Sequence, residues 1–278
     1  MERERGQILA LLGRPQPGGV HCYGVVESTM TVAQALARQG APEGTVVLAD
    51  SQTAGVGRLG RSFASPGGQG VYLSMILRPR PGAGVSWLTS LAGLAACRAV
   101  EEVSGLTPRL KWPNDLILQG KKLCGILVQT ALGDGGIRHA VVGVGLNLAQ
   151  TDFGPELADK AISLQMAGAA VPRPRMAAAL IGQLDALLVD NQVYEAMPQA
   201  CIQELRERSC TLGRQVRLVD RGGDTLGRAV DLDGDGGLIV ETPQGRRVVT
   251  SGEVSVRGLL GYLPQDTEGE RHEADCGH

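Results

Sequence analysis

Between residues 51 and 100 the chain contains no Asp or Glu, yet Arg58, Arg61, Arg78, Arg80 and Arg98 fall inside that window. Over all 278 residues acids slightly outnumber bases, 29 against 27. The gap is therefore local, and it favours an anionic ligand on this stretch. Inside it lies Gly55-Val56-Gly57-Arg58-Leu59-Gly60, a literal G-x-G-x-x-G. A dinucleotide site needs a strand directly before such a loop, a helix directly after it, and an acid about twenty residues on. Here the strand pattern ends at Ala49, Pro66-Gly67-Gly68 follows in place of a helix, and the acid is missing. No Gly-Lys-Ser/Thr closes a P-loop either. Two readings remain: a solvated basic hairpin, or a Gly loop whose N–H groups and arginines wrap a phosphate or acyl phosphate.

A second motif weighs toward the phosphate. Lys111-Trp112-Pro113-Asn114-Asp115 is followed by Lys121-Lys122-Leu123-Cys124-Gly125-Ile126-Leu127. A hairpin of this length brings Asp115 and Lys122 to the same end of a sheet. Activating a carboxylate against an α-phosphate brings two anions together, and a lysine emerging from a strand supplies the cation between them. The bland alternative is an exposed hairpin tip. A third motif, Gly143-Val144-Gly145-Leu146-Asn147, passes a strand through two glycines, which lets a flat ligand approach the backbone; the alternative is a bulge with a satisfied Asn. Ser28-Thr29 stands directly before a helical pattern and also reads as its N-cap. Trp112 reads as core, and Asp231-x-Asp233-x-Asp235-Gly236 as a β-turn rather than a calcium loop.

The pattern predicts helices near residues 7–12, 30–39, 86–103, 176–189 and 194–207, and strands from Val20 toward Ser28 and at 45–49, 71–77, 110–112, 123–130 and 140–148. After Gly213 short strands at 216–218, 226–232, 238–241 and 246–250, separated by Gly/Asp turns, predict a small β-barrel. The resulting division is a short extension (1–19), a larger domain (20–212), a C-terminal domain (213–263) and a polar, disordered tail (264–278). A net charge of −2 gives no global field toward nucleic acid or membrane, and no apolar run nears the ~20 residues of a membrane span. Six scattered cysteines without a C-x-x-C pair predict a reduced, cytoplasmic protein with no metal site.

Glu27-Ser28-Thr29, the 50–61 segment, K-W-P-N-D, K-L-x-G-I-L and G-V-G-L-N together resemble biotin protein ligase, in the family's order and at its spacing over roughly residues 20–260. The resemblance implies an α+β fold: a mixed-sheet ligase domain with helices on one face, and a small C-terminal SH3-like β-barrel. It implies a two-step reaction in which biotin and ATP, with Mg2+, form biotinyl-5′-AMP. A lysine of a biotin carboxyl carrier domain of acetyl-CoA carboxylase or a similar carboxylase then takes the biotin. It places Ser28, Thr29, Met30, Gln52, Val56, Gly57, Arg58 and Lys122 on biotin, and Arg61, Asn114 and Asn147 on ATP. Lys122, Arg58 and Asp115 become the catalytic residues, with Asp115 receiving the acceptor ammonium. Residues 1–19 are too short for a DNA-binding module, so no DNA partner is expected; a homodimer is compatible with the sequence.

Two positions depart from the family. Val56 stands where Arg is common, and Met30 where Asn is frequent, so each removes one polar contact. Three rivals remain: a lipoate or octanoate transferase, a biotin-sensing repressor, and a non-catalytic adenylate-binding module.

Overall fold

A computed structural model describes residues 1–80, 85–134, 136–189, 196–220, 223–250 and 255–258. Runs rich in Val, Leu and Ile form one mixed sheet: β1 (Val20–Val26), β2 (Val46–Gln52), β3 (Gly70–Leu77), β4 (Arg109–Lys111), β5 (Asp115–Leu118), β6 (Lys121–Gly133) and β7 (Gly136–Asn147). Their order is β1-β2-β3-β7-β6-β5-β4. β1 and β2 are parallel, joined by the crossover helix α2 (Thr29–Arg38), and the other neighbours are antiparallel.

All eight residues of β3 are buried because both faces of the sheet are covered. Strand alternation sends Val46, Leu48, Leu73, Met75 and Val142 into the main core, beside α3 (Leu88–Ser104) and α4 (Arg173–Leu184). Val47, Ile76 and Val141 point the other way, onto Met30, Ala33 and Ala37 of α2. The expected helical layer is thus present, and α2 adds a smaller cover opposite it. The predicted helix at 7–12 is longer: α1 spans Glu2–Leu12, buries Ile8 and packs on α4. The pattern at 176–189 divides into α4 and a π-helical turn, Asp185–Val189.

Within this sheet, β5 is the strand the sequence pattern does not mark; the strand Ser255–Gly258 of the C-terminal domain is likewise unmarked. β5 is four residues long, follows a proline and opens on an acid, so it carries little intrinsic signal. It forms because β4 pairs it on one side and β6 on the other.

Helix α5 (Gln199–Arg208) begins five residues after the predicted start at Tyr194, which lies outside the described residues. Beyond it β8 (Gln215–Asp220), β9 (Gly223–Leu232), β10 (Leu238–Thr242), β11 (Gly245–Val249) and β12 (Ser255–Gly258) form an antiparallel sheet in the order β11-β10-β9-β8-β12. Among the described residues no pairing joins β11 to β12, so the expected barrel is an open sheet there. The tail 264–278 lies outside the described residues. The Asp233 carboxylate accepts from the N–H groups of Asp235 (2.9 Å) and Gly237 (2.7 Å), making the expected turn, while Asp231 pairs with Arg206 at 2.7 Å.

That turn docks on the first sheet. The Trp112 indole N–H donates to the Gly236 carbonyl at 3.0 Å, and Trp112 N donates to Thr211 Oγ1 at 2.9 Å. Trp112 is buried and follows the core reading. Gly236 has φ +76°, and a Cβ there would meet Met197 Cε at 2.9 Å. Trp112→Phe, which strands the Gly236 acceptor and puts a smaller aromatic ring in a buried place, is expected to cost about 1–3 kcal/mol or more in urea unfolding. An unchanged midpoint would show that neither the bond nor the lost ring volume contributes to stability.

Candidate active site

Ser28 caps α2: its Oγ accepts from Met30 N at 3.2 Å. The N-cap and site readings are therefore compatible, since the cap also lines the central cavity. Next to it Gln52, at the end of β2, accepts from Thr29 N (2.8 Å) and Thr29 Oγ1 (3.2 Å) and donates to Ser65 Oγ (2.7 Å). Ser74 Oγ donates to Thr29 Oγ1 at 2.9 Å, and Ser65 Oγ to the Phe63 carbonyl at 3.0 Å. This chain of bonds fixes neutral polar groups before any ligand arrives. Gln52→Leu keeps the volume but orphans Thr29, which is buried. It is expected to cost about 1–3 kcal/mol and to weaken binding of a polar ligand head. Urea unfolding and calorimetric titration with biotin check the two effects.

The glycine loop is closed on itself. Gly57 N donates to the Arg61 carbonyl at 2.6 Å, Phe63 N to the Gly55 carbonyl at 2.8 Å, and Val56 bridges Ser62. Arg58–Gly60 form a 3₁₀ turn with Leu59 at φ 59°, ψ 33°, a left-handed conformation that costs an L-residue roughly 1–2 kcal/mol. No α-helix follows, in keeping with the rejected dinucleotide reading. One part of that rejection changes: β2 runs to Gln52, so two residues rather than five separate strand from loop. Val56 and Gly57 line the cavity with Arg58. Burial pushes the Arg58 guanidinium below its ordinary pKa, Asp115 acts in the opposite direction, and neighbouring Arg61 lowers it further.

The β5–β6 hairpin brings Lys122 Nζ to 2.6 Å from Asp115 Oδ1, both side chains partly exposed at 26% and 18%. Asn114 is pinned to β6 by its amide, which donates to the Ile126 carbonyl at 3.1 Å. Lys122 and Asn114 line the same cavity as Ser28, Thr29, Met30, Gln52 and Arg58. Three named residues lie off that lining. Asp115 is ion-paired to Lys122, which lines the cavity. Arg61 is exposed at the loop tip. Asn147 is buried, with its amide donating to the carbonyls of Ile162 (3.1 Å) and Lys122 (3.4 Å). Of the other arginines in the acid-free window, Arg78 caps α2 by donating to the Ala37 and Ala41 carbonyls, and Arg98 pairs with Glu204.

The floor of the cavity is the glycine pair on β6 and β7. Gly125 lies directly across from Gly145. A Cβ on Gly145 would stand 2.6 Å from the Phe63 ring, and one on Gly143 2.6 Å from Met30 Sδ. Phe63 thus lies on the flat floor, and the free cavity is about 50 Å³, against roughly 300–1,000 Å³ for a small-molecule site. Sequence reasoning missed Phe63. Its signal was available: it is one of two phenylalanines in the chain and sits inside the acid-free window.

Residues 23–147 match the biotin/lipoate A/B protein ligase family, and residues 211–257 the biotin protein ligase C-terminal domain. The biotin–[acetyl-CoA-carboxylase] ligase of Mycobacterium tuberculosis is 38% identical, covering 83% of this chain and 86% of that protein. The bifunctional ligase/repressor BirA of Bacillus subtilis is 34% identical, covering 84% of this chain and 73% of that protein. The biotin protein ligase of Aquifex aeolicus in complex with biotin and ATP superposes with a TM-score of 0.74 at 30% identity, covering 86% of this chain and 98% of that one. With both conserved regions matched in order, and relatives of this identity covered over most of their length, the chain belongs to the biotin protein ligase family.

Proposed function

We propose that the chain activates biotin with MgATP and transfers the biotinyl group to a lysine of a biotin carboxyl carrier domain, in acetyl-CoA carboxylase or a similar carboxylase. The observation that carries this reading is the make-up of one cavity. Neutral donors and acceptors (Ser28, Thr29, Gln52) and cations (Arg58, Lys122) line it together. A cyclic urea takes hydrogen bonds without charge. A carboxylate approaching an α-phosphate requires cations between the two anions.

In the first step a biotin carboxylate oxygen attacks the α-phosphorus, the bond to the β-phosphate breaks and pyrophosphate leaves. Lys122 and Arg58 offset the charge that gathers on the phosphorus oxygens, and Arg61 meets the departing phosphates. Mg2+ enters as part of the nucleotide, held by its phosphates. In the second step Asp115 takes a proton from the incoming ammonium, the freed amine attacks the acyl carbon and AMP leaves, and the second nitrogen proton passes to the departing phosphate or to water. Asp115 has first to exchange its ion pair with Lys122 for the incoming ammonium. Asn114 and Asn147 hold the β5–β7 backbone beside the nucleotide. Val56 contributes its backbone, and Met30 packs on Gly143, where the common Arg and Asn would add polar contacts.

We assign residues 20–212 to catalysis and 213–263 to the C-terminal domain. The described cysteines are free thiols, which supports a reducing, cytoplasmic setting. The test is pyrophosphate release with biotin, lipoate or octanoate, followed by label transfer to a carrier domain. Faster release with lipoate or octanoate would overturn the choice of acid, and no release with any of the three would overturn the ligase reading.

A further inference from the structure

The ladder between β2 and β3 ends at Ala49–Tyr72, and beyond it the two strands diverge to release the segment that carries Gln52, Val56, Gly57, Arg58 and Phe63. One side chain sits in that fork. Arg173, the first residue of α4, donates from Nε to the Gly70 carbonyl at 2.8 Å and from Nη2 to the Ala49 carbonyl at 2.6 Å. Its Nη1 pairs with Glu4 of α1 and lies 3.8 Å from Asp50 Oδ1. Asp50 Oδ1 in turn accepts from Gly68 N at 3.0 Å, binding the far stem of the loop to the near one. The Arg173 side chain is 11% exposed, and it does not line the cavity. A planar guanidinium spans two carbonyls and a carboxylate at once, which an ammonium on a flexible stem does not reproduce.

We propose that Arg173, with Glu4 as its counter-ion, is a positioning residue for the ligand loop: by gripping both stems it holds Gln52 and Arg58 over the cavity and so keeps the acyl adenylate from water. The inference rests on the proposed biotin adenylation. Its physical basis is that closure of a loop over a mixed anhydride is only as firm as the stems it hinges on. The N-terminal helix thereby becomes part of the apparatus that governs the site, through Glu4.

The experiment compares the full chain with Arg173→Gln, Arg173→Lys and Glu4→Gln by two readouts. The first is amide hydrogen exchange at Gly57 and Phe63, whose N–H groups close the loop, and it requires no catalysis. The second is steady-state pyrophosphate release against biotin, together with the ratio of pyrophosphate released to biotin transferred. Arg173→Gln is expected to speed exchange at both amides and raise the biotin KM about tenfold, equivalent to about 1.4 kcal/mol. The kcat should change less, and the ratio should exceed one as adenylate escapes. Arg173→Lys should rescue only part of this, and Glu4→Gln should give a smaller effect in the same direction. Unchanged exchange in Arg173→Gln, or faster exchange with unchanged KM and ratio, would overturn the proposal. A lower melting temperature with no other change has the same meaning. Should Arg173→Gln fail to fold, Glu4→Gln carries the same two outcomes. If the unmodified chain releases no pyrophosphate with biotin, the adenylation reading fails, while hydrogen exchange still decides whether Arg173 orders the loop.

Discussion

Lys122→Ala is expected to slow pyrophosphate release from biotin and ATP by about 10²–10³-fold, the usual consequence of removing one preorganised charge from a site where negative charge develops. The effect on folding should be smaller. Lys122 and Asp115 are 2.6 Å apart, but their side chains keep 26% and 18% of their exposure. Asp115 Oδ1 is itself buried, so truncation leaves the carboxylate without its cation, and a loss of about 1–3 kcal/mol is the appropriate scale. Lys122→Arg retains the charge on a longer, planar group and should recover only part of the rate. The measurements are initial rates of pyrophosphate release and a urea midpoint on the same preparation. A rate within threefold of the parent would remove Lys122 from the catalytic role proposed for it. An unfolded variant would shift the test to Lys122→Arg, where an unchanged rate has the same meaning.

Gly145→Ala is expected to weaken biotin binding at least tenfold at little cost in stability. The position is mid-strand on β7, opposite Gly125, so alanine suits its backbone. The added Cβ would stand 2.6 Å from Phe63 Cε1, and the ring, on a loop, can move aside. The methyl group remains on the floor where a flat ligand would lie. Phe63→Ala separates the two effects, because it removes the ring that the methyl meets. If the binding penalty of Gly145→Ala persists in the Phe63→Ala background, the glycine serves the ligand. If it vanishes, the glycine serves only the ring, and the floor assigned to the ligand is wrong. Titration calorimetry on the four proteins of this cycle provides the answer.

How legible the site was in the sequence depended on distance along the chain. Ser28-Thr29 before a helix, the Gly55–Gly60 loop and the Asp115/Lys122 hairpin are local patterns, and each sits in or beside the cavity. The acid-free window was informative but overestimated. Arg58 faces the cavity, whereas Arg78 and Arg98 answer to α2 carbonyls and Glu204. Charge counting alone cannot distinguish an arginine that binds an anion from one that caps a helix. Asn147 shows the same ambiguity: as a sequence position it could read a base edge, and in the fold its amide donates to two carbonyls.

The sequence by itself determined most of the secondary elements, the change of texture after Gly213, and the motifs that define the family. These rest on periodicity, turn chemistry and short-range spacing, which a linear pattern contains. The tertiary structure alone decided the contacts between residues far apart in sequence. Examples are the stacking of Phe63 on Gly145, the grip of Arg173 on Ala49 and Gly70, and the hold of Trp112 on Gly236. Each joins groups whose individual preferences are weak, and the arrangement arises because burial leaves polar atoms no other partner and rings no other surface.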